Sequence, residues 1–228
     1  MKTAIVTGDS RGLGAQIARR LRAAGIQVVG CSRTSPTPVD VRDSSQVNRF
    51  VDNVLEETGG IDVLINNAGF VQSQFPLEQT SNRDLLSVFE TNVYGPFYTM
   101  RSVIPGMIER NRGIIINIAS KSAIYPVPKL AAYSASKSAL VVLTQAVAKE
   151  LRDTRVVCLA VCPAGMRTTM RAAVYGHENA KEQQNPKRVA NIVSEIVISG
   201  TASGRRLHQG SCIIIRRDHV EIREMQDG

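Results

Sequence analysis

A short apolar run leads directly into a glycine-rich turn at Lys2-Thr3-Ala4-Ile5-Val6-Thr7-Gly8-Asp9-Ser10-Arg11-Gly12-Leu13-Gly14. Residues 2–7 predict a short buried strand. An amphipathic helix is predicted to follow the glycines, with apolar residues at positions 17, 18, 21 and 24 and a stop at Gly25. A strand, a glycine turn and a helix N-terminus together form a cradle of backbone N–H groups that suits a phosphate. The chain therefore begins as an α/β protein with a phosphate-binding turn.

A second feature is Tyr133-Ser134-Ala135-Ser136-Lys137, at the start of an apolar helix predicted to reach about Leu151. Positions i and i+4 lie on one helix face, so the Tyr133 and Lys137 side chains should point the same way. An ammonium beside a phenol favours the phenolate and lowers a phenol pKa that is otherwise about 10. Tyr133 is therefore a candidate proton donor or acceptor. Taken alone, the pair also fits two surface residues one helical turn apart.

The glycine turn and the Tyr133/Lys137 pair together resemble the short-chain dehydrogenase/reductase family. Three further matches occur in the family's order: Asn66-Asn67-Ala68-Gly69, Asn92, and Ser120, which lies thirteen residues before Tyr133. The resemblance covers about residues 3 to 170 and points to the short, single-domain branch that includes 3-oxoacyl reductases. It implies one doubly wound Rossmann-type α/β domain over residues 1–228, with a parallel sheet and right-handed crossovers.

The resemblance also implies a reaction, reversible hydride transfer between NADP(H) and a small-molecule carbonyl/alcohol pair. Tyr133 would protonate the developing alkoxide, Lys137 would lower the Tyr133 pKa and bind ribose hydroxyls, Ser120 would hold the carbonyl oxygen, and Asn92 would hold a relay water. The implied cofactor-binding residues are Gly8, Ser10, Arg11, Gly12, Leu13, Gly14, Arg33, Asp40, Val41, Asn67, Ala68, Gly69, Tyr133, Lys137, Pro163 and Thr168.

The choice of cofactor is read from charge at the end of the second predicted strand, Gln27 to Cys31. NAD-preferring Rossmann sites place an Asp or Glu there for the ribose hydroxyls. This chain continues with Ser32 and Arg33, and Arg11 supplies another cation. The sequence therefore predicts NADP(H), the alternative being that both arginines are simply exposed.

The segment after the second strand is short and rich in proline. A parallel crossover normally needs a dozen or more residues and usually a helix, whereas residues 32–41 offer only a loop. We predict that the helix is lost and that Val39-Asp40-Val41 is a remnant strand. Asp40 fits the family's adenine-contacting position, although a helix-starting or solvent-facing aspartate fits as well.

The rest of the chain alternates predicted helices and strands. Residues 166–185 are polar and resemble a mobile substrate lid, and the chain end suggests a terminal hairpin. The predicted elements are a helix from Asp43 or Ser44 to Thr58, a strand at Ile61–Ile65, a helical segment at Asn82–Glu109 interrupted near Gly95-Pro96, strands at Ile114–Ile118 and Val156–Val161, a helix from Asn185-Pro186 to about Ser199, and a strand at Ser211–Ile215.

Composition and charge limit the classes of partner that the protein is expected to bind. A chain of 228 residues suits one domain, and no signal peptide or membrane-spanning apolar run is apparent, which favours a cytoplasmic protein without a membrane partner. The net charge of +8 could indicate nucleic-acid binding, but no basic block with interleaved aromatics occurs, so no nucleic-acid partner is predicted. The four cysteines lack redox or metal spacing and three fall in predicted strands, so we expect buried, reduced thiols. The three scattered histidines argue against a metal site.

Other functions remain open at this stage. A non-enzymatic NADP-binding sensor could use the same fold, although a sensor needs no tuned acid. An epimerase or dehydratase of the same superfamily would usually carry a longer C-terminal domain. Among substrates, a 3-oxoacyl thioester on an acidic carrier protein is as plausible as a small ketone or a sugar. The long helices carry apolar residues on more than one face, as in Leu140-Val141-Val142-Leu143, which together with the family's habit predicts a homodimer or homotetramer.

Overall fold

The structure, a computed structural model, describes residues 1–35 and 38–224, and a seven-stranded sheet lies at its centre. Strand order across the sheet is β2-β1-β3-β4-β5-β8-β9, with all pairs parallel except the antiparallel pair β8–β9. A separate two-stranded ladder joins β6 and β7. The strands are β1 (Thr3–Thr7), β2 (Gln27–Cys31), β3 (Val63–Asn66), β4 (Gly113–Ile118), β5 (Val156–Pro163), β6 (Thr201–Ala202), β7 (Arg205–Arg206), β8 (Cys212–Ile215) and β9 (Val220–Arg223).

Helices cover both faces of the sheet. Neighbouring residues of one strand serve opposite faces, since Ala4 and Val6 pack with α1 and α8, whereas Ile5 packs with α2, α4 and α5. This two-sided burial explains why the strands read as unbroken apolar runs, and the predicted doubly wound fold is confirmed. The helices are α1 (Gly12–Ala23), α2 (Ser44–Thr58), α3 (Asn82–Phe89), α4 (Gly95–Glu109), α5 (Ala131–Glu150), α6 (Thr169–Tyr175), α7 (His177–Lys181) and α8 (Pro186–Ser199).

Local capping sets the bounds of α2, as the sequence predicts. The carboxylate of Asp43 accepts hydrogen bonds from Ser45 N at 2.8 Å and Gln46 N at 3.1 Å. The helix ends at Gly59, whose φ of 72° is the left-handed conformation that glycine adopts without steric cost. Both signals act within one helical turn, which is why they can be read without knowledge of the fold.

The prediction of a remnant strand at Val39-Asp40-Val41 is wrong. Val39 N donates to Ser32 O at 3.1 Å and Asp43 N donates to Asp40 O at 3.0 Å, so the described part of this segment forms turns. Val39 and Val41 are buried against Cys31, and this packing accounts for the alternation that suggested a strand. Pro36 and Thr37, within the predicted loop, lie outside the described residues. Among the described residues, β2 is therefore the edge of the sheet.

The C-terminal part of the chain forms the predicted hairpin, with Arg216 N donating to His219 O at 2.9 Å across the turn between β8 and β9. Residues 166–185, predicted to be irregular, instead contain α6 and α7. Over residues 1–35 and 38–224 there is no helix long and apolar enough to cross a membrane, nor a group of three or more potential metal ligands. All four cysteines are buried and free.

Candidate active site

The candidate site lies at the carboxyl edge of the parallel strands, where open α/β sheets bind their ligands. The chain leaves β1 into the glycine turn, β3 into Asn67–Gly69, β4 into Ala119-Ser120, and β5 into residues 164–168. Because parallel strands end at the same edge, four segments far apart in sequence meet here.

The glycine turn has the geometry of a phosphate cradle. Gly8 and Gly12 have φ values of +67° and +59°, which disfavour any side chain. A Cβ on Gly14 would collide with Gly8 O and with the Asn67 side chain. Arg11, the N-cap of α1, makes no capping hydrogen bond through its side chain. The first N–H groups of α1 are thus available to an anion.

Hydrogen bonds lock the glycine turn to the loop after β3. Thr7 Oγ1 accepts from Asn67 N and Ala68 N, both at 3.0 Å. Asn67 Nδ2 donates in return to Thr7 O at 3.0 Å and to Gly8 O at 3.1 Å. The Asn67 side chain therefore acts as a brace that fixes the turn, and its amide nitrogen is already committed to the protein.

Asn92 occupies a π-helical segment, Glu90–Tyr94, between α3 and α4. The predicted interruption is thus real but begins before Gly95-Pro96 and includes Asn92 itself. Asn92 is fully buried, with Oδ1 accepting from Phe70 N at 2.9 Å and Nδ2 donating to Phe70 O at 2.8 Å and Ser136 Oγ at 3.0 Å. π-Helical turns frequently occur at functional sites.

Tyr133 and Lys137 lie on one face of α5, with Lys137 Nζ 6.0 Å from the Tyr133 ring centroid. Lys137 is buried and donates to Ile118 O at 2.9 Å. A Cβ on Gly69 would lie 3.7 Å from Lys137 Nζ and 3.4 Å from Asn92 Oδ1, so these groups share one neighbourhood.

The pKa values differ from the simplest expectation. Burial raises the pKa of Tyr133, and hydrogen bonding with the Ser120 side chain only partly opposes that effect. Burial also lowers the pKa of Lys137 to about 8. The expected lowering of the Tyr133 pKa by Lys137 is therefore not found, because the loss of water around the phenol disfavours the phenolate more than the neighbouring donors favour it.

Ser120 leads into a short 3-10 turn, Lys121–Ala123, and its Oγ accepts from Ser122 N at 3.2 Å and from Ser122 Oγ at 2.8 Å. With two donors on its oxygen, Ser120 keeps its own proton for another acceptor. The only sequence signal for Ser122 is its place two residues after Ser120, and that spacing is not distinctive.

A cavity of about 370 Å³ opens beside Ser120 and Tyr133. Its wall is mostly apolar and includes Ser120 and Tyr133, which suits a carbonyl compound with an apolar body. The apolar lining residues include Val71, Ala119, Val127, Leu130, Pro163, Ala164, Met166, Met170 and Val174.

Comparison with known proteins identifies the chain. A family model described as short chain dehydrogenase matches residues 32–179. The chain belongs to the short-chain dehydrogenase/reductase family. It is an oxidoreductase that interconverts a carbonyl and an alcohol, and the family binds a nicotinamide cofactor.

Curated relatives and solved structures support the same family membership for this dehydrogenase/reductase. It is 34% identical over 223 residues to "Ketoacyl reductase HetN" of Nostoc sp., covering 88% of this chain and 76% of that protein. The actinorhodin polyketide ketoreductase with NADPH has a TM-score of 0.86 at 29% identity, covering 96% and 98% of the two chains. A 3-ketoacyl-(acyl-carrier-protein) reductase from Brucella melitensis complexed with NADH has a TM-score of 0.87 at 23% identity, covering 95% and 97%, and shows the fold alone.

The remaining candidate cofactor residues of this dehydrogenase/reductase fall into distinct places. Arg11 and Arg33 are exposed, whereas the Leu13 and Val41 side chains are buried in the core, so only the backbone of these two can face a ligand. Thr168 caps α6 and lies 3.8 Å from a Cβ built on Gly12, which brings the loop after β5 opposite the glycine turn.

Asp40 is already engaged. Its carboxylate pairs with Arg42 at 2.6 Å, and hydrogen bonding to Arg42 holds its pKa below the usual range, with a further contribution from Arg33. An adenine contact by Asp40 would therefore use a carboxylate that is fixed by a neighbour two residues away.

Proposed function

We propose that this protein is an NADP(H)-dependent oxidoreductase acting on a small-molecule carbonyl or secondary alcohol. The observation that carries the proposal is the meeting of Tyr133, Ser120 and Lys137 between an apolar cavity and a glycine phosphate cradle. A binding module has no need of a half-buried phenol and serine beside a cavity with a buried lysine next to them.

Each side chain has a role set by its surroundings. The raised pKa keeps Tyr133 protonated near neutral pH, so in the reductive direction its hydroxyl donates a proton to the developing alkoxide. Ser120 donates a hydrogen bond to the same oxygen, because its own oxygen is occupied by Ser122. Lys137, anchored on Ile118 O, retains two N–H donors for ribose hydroxyls.

A nicotinamide dinucleotide fits the residues present. When bound, it supplies or accepts the hydride. The Gly8–Gly14 turn and the uncapped start of α1 suit its pyrophosphate, and Thr168 faces that turn from the loop after β5. Arg11 and Arg33 are the charges that would favour a 2′-phosphate.

The substrate could also be a 3-oxoacyl thioester on an acidic carrier, and one feature favours this narrower reading. A second cleft of about 470 Å³ adjoins the substrate cavity, since Gln183 lines both. Four cations and a single carboxylate line it: Arg167, Lys181, Arg188, Arg217 and Glu182. Such a cleft suits the phosphate of a carrier arm or an acidic partner surface, and ketoacyl reductases are among the relatives.

Two further features belong to this proposal. Residues 166–185, with α6 and α7, form a wall of the substrate cavity through Met170 and Val174 and would act as its lid. Exposed apolar side chains on α3, α4 and α5 would be covered in a homodimer or homotetramer.

The proposal is tested by removing one oxygen. Tyr133→Phe should reduce turnover of a carbonyl panel with NADPH by at least a hundredfold, since general acid catalysis typically supplies at least about that factor. NADPH affinity, measured by fluorescence titration, should stay within about twofold. A Tyr133→Phe enzyme with more than about a hundredth of the wild-type rate would refute the assigned acid. Tighter wild-type binding of NADH than of NADPH at fixed salt would refute the cofactor.

A further inference from the structure

The carboxylate of Asp9 lies at the end of β2, although Asp9 itself belongs to the turn after β1. A Cβ built on Gly30, in β2, would collide with the Asp9 carboxylate. Burial and then the charge of Asp9 raise the pKa of the next residue, Cys31, to about 12. The contact and the charge both place Asp9 over the last two residues of this strand.

One oxygen of this carboxylate lacks a partner in the protein. Asp9 Oδ1 is buried and accepts no hydrogen bond within residues 1–35 and 38–224. An ionised carboxylate oxygen removed from water is costly unless it accepts hydrogen bonds. The described protein thus leaves this carboxylate short of donors, and because Oδ1 is closed to solvent, a donor on a ligand would reach the carboxylate through Oδ2, which is not among the closed, unpartnered atoms.

Rossmann-type sites hold the adenosine ribose at the end of the second strand, where a carboxylate accepts hydrogen bonds from the ribose hydroxyls. The chain after β2 supplies only Ser32 and Arg33 in this place. We propose that Asp9 takes over this function: its carboxylate accepts hydrogen bonds from the adenosine ribose hydroxyls and makes Asp9 a cofactor-specificity residue. The inference rests on the proposed function, because it requires a nicotinamide dinucleotide at the glycine turn.

Two opposing charges then set the choice of cofactor. Arg11 and Arg33 attract a 2′-phosphate, whereas Asp9 repels it and binds the free hydroxyl of NADH. The protein should therefore bind both dinucleotides and prefer NADPH less strongly than its arginines alone would dictate. Gly30 is required for this arrangement, because only the absence of a side chain at residue 30 lets the Asp9 carboxylate lie over β2.

The test compares NADPH and NADH affinities by fluorescence titration at fixed salt. Asp9→Asn should weaken NADH binding about tenfold, the size of one charge-assisted hydrogen bond, and should leave NADPH binding unchanged or tighter. The fragments 5′-ADP and 2′,5′-ADP should show the same divergence, because the effect lies in the adenosine half. Asp153→Asn is the matched control, since it removes the same charge from an 89% exposed side chain in the turn before β5, at the opposite sheet edge.

Gly30→Ala provides a second variant that displaces the carboxylate without changing its charge. Gly30→Ala should weaken NADH binding in the wild-type background and have no further effect in the Asp9→Asn background. If Asp9→Asn does not fold, Gly30→Ala alone tests the role of the Asp9 carboxylate. An unchanged NADPH-to-NADH ratio in Asp9→Asn, or additive effects in the double variant, would overturn the Asp9 assignment alone. A wild-type protein that binds neither dinucleotide would overturn the proposed function together with it.

Discussion

Ser122 holds the oxygen of Ser120 through two donors, its own hydroxyl at 2.8 Å and its backbone N–H at 3.2 Å. This arrangement directs the remaining proton of Ser120 away from the turn. Ser122 is buried, so water does not replace it easily. We infer that Ser122 is a positioning residue for the candidate catalytic serine.

Ser122→Ala should lower kcat about fivefold, the equivalent of one neutral hydrogen bond of about 1 kcal/mol. Cofactor affinity should change less than twofold, because Ser122 lies in the turn after β4 and not in the glycine turn. KM is measured as well, since Ser122 also lines the substrate cavity. The control is Ser138→Ala, whose hydroxyl donates to Ala123 O and Ser134 O on the same side of α5. Equal losses of kcat in the two variants would contradict the positioning role.

Lys137 links the site to the stability of the protein. Its pKa falls from 10.5 to about 8 because the ammonium is buried. Between these values the unfolded chain binds more protons than the folded chain, so this lysine makes the free energy of unfolding rise with pH. Cys31 and Cys158 act oppositely from about pH 9, since burial raises their pKa values from 9.0 to about 12.

Because the lysine and cysteine effects on stability overlap in pH, the Lys137 effect is isolated by comparing the wild type with a variant that lacks this lysine. From pH 7 to pH 9 the free energy of unfolding of the wild type should rise by about 1 kcal/mol relative to Lys137→Met. Urea denaturation at several pH values measures it, with the exposed Lys149→Met as control. Parallel pH profiles for wild type and Lys137→Met would show that the buried ammonium is not penalised.

At the scale of elements, the π-helical segment Glu90–Tyr94 joins α3, α4 and the loop after β3. Asn92 is its central contact, because it satisfies both backbone groups of Phe70 and also holds Ser136, whose Oγ donates to Tyr133 O at 2.8 Å. The segment thus fixes the start of α5, where Tyr133 lies.

Asn92→Ala should destabilise the protein by about 3 kcal/mol, because the N–H and C=O of Phe70 and the Ser136 hydroxyl lose a buried partner at once. Thermal and urea unfolding give the value. Asn48→Ala, which removes one exposed hydrogen bond with Ser102, should cost less than about 0.5 kcal/mol. A loss below about 1 kcal/mol for Asn92→Ala would mean that this clamp is unimportant for stability.

The terminal hairpin is also tied to the site. Arg223 in β9 donates to the Tyr125 hydroxyl at 2.7 Å, and the Arg216 guanidinium lies 5.0 Å from the Tyr125 ring centroid. Tyr125 follows the short turn that contains Ser122, so the last strand supports the segment that carries Ser120.

For the whole molecule, large apolar side chains remain exposed on three of the helices. Leu86 in α3, Phe97 in α4 and Val142 in α5 are 56%, 44% and 63% exposed. Large exposed apolar side chains are typical of protein–protein contacts, and those on these three helices support the proposed self-association.

Light scattering at micromolar concentration should give the mass of a dimer or tetramer. Val142→Glu together with Phe97→Glu should shift the mass toward the monomer, because a stable contact does not bury two unpaired carboxylates. Leu77→Glu, at a 72% exposed residue outside these helices, should leave the mass unchanged. A monomeric wild type would refute the assembly.

Features that depend only on neighbours along the chain could be predicted before the fold was known. The Asp43 cap and the Gly59 stop of α2 each act within one helical turn. The glycines at 8, 12 and 14 indicate a tight backbone turn by their residue type alone. The i to i+4 spacing puts Tyr133 and Lys137 on one helix face. The parallel sheet was predicted from the family resemblance together with the alternation of apolar strands and helices. Most secondary-structure elements and the principal candidate site residues could therefore be predicted from the sequence.

Tertiary structure decided what depends on residues brought together from afar. Packing on Cys31, and not strand pairing, buries Val39 and Val41. The Tyr133 pKa rises because the surrounding fold removes water from the half-buried phenol, whereas the pairing with Lys137 predicted a fall. The Asp9 carboxylate meets Gly30 only because β1 and β2 are adjacent strands. Burial and long-range contact set these energies, and neither is a property of a local stretch of sequence.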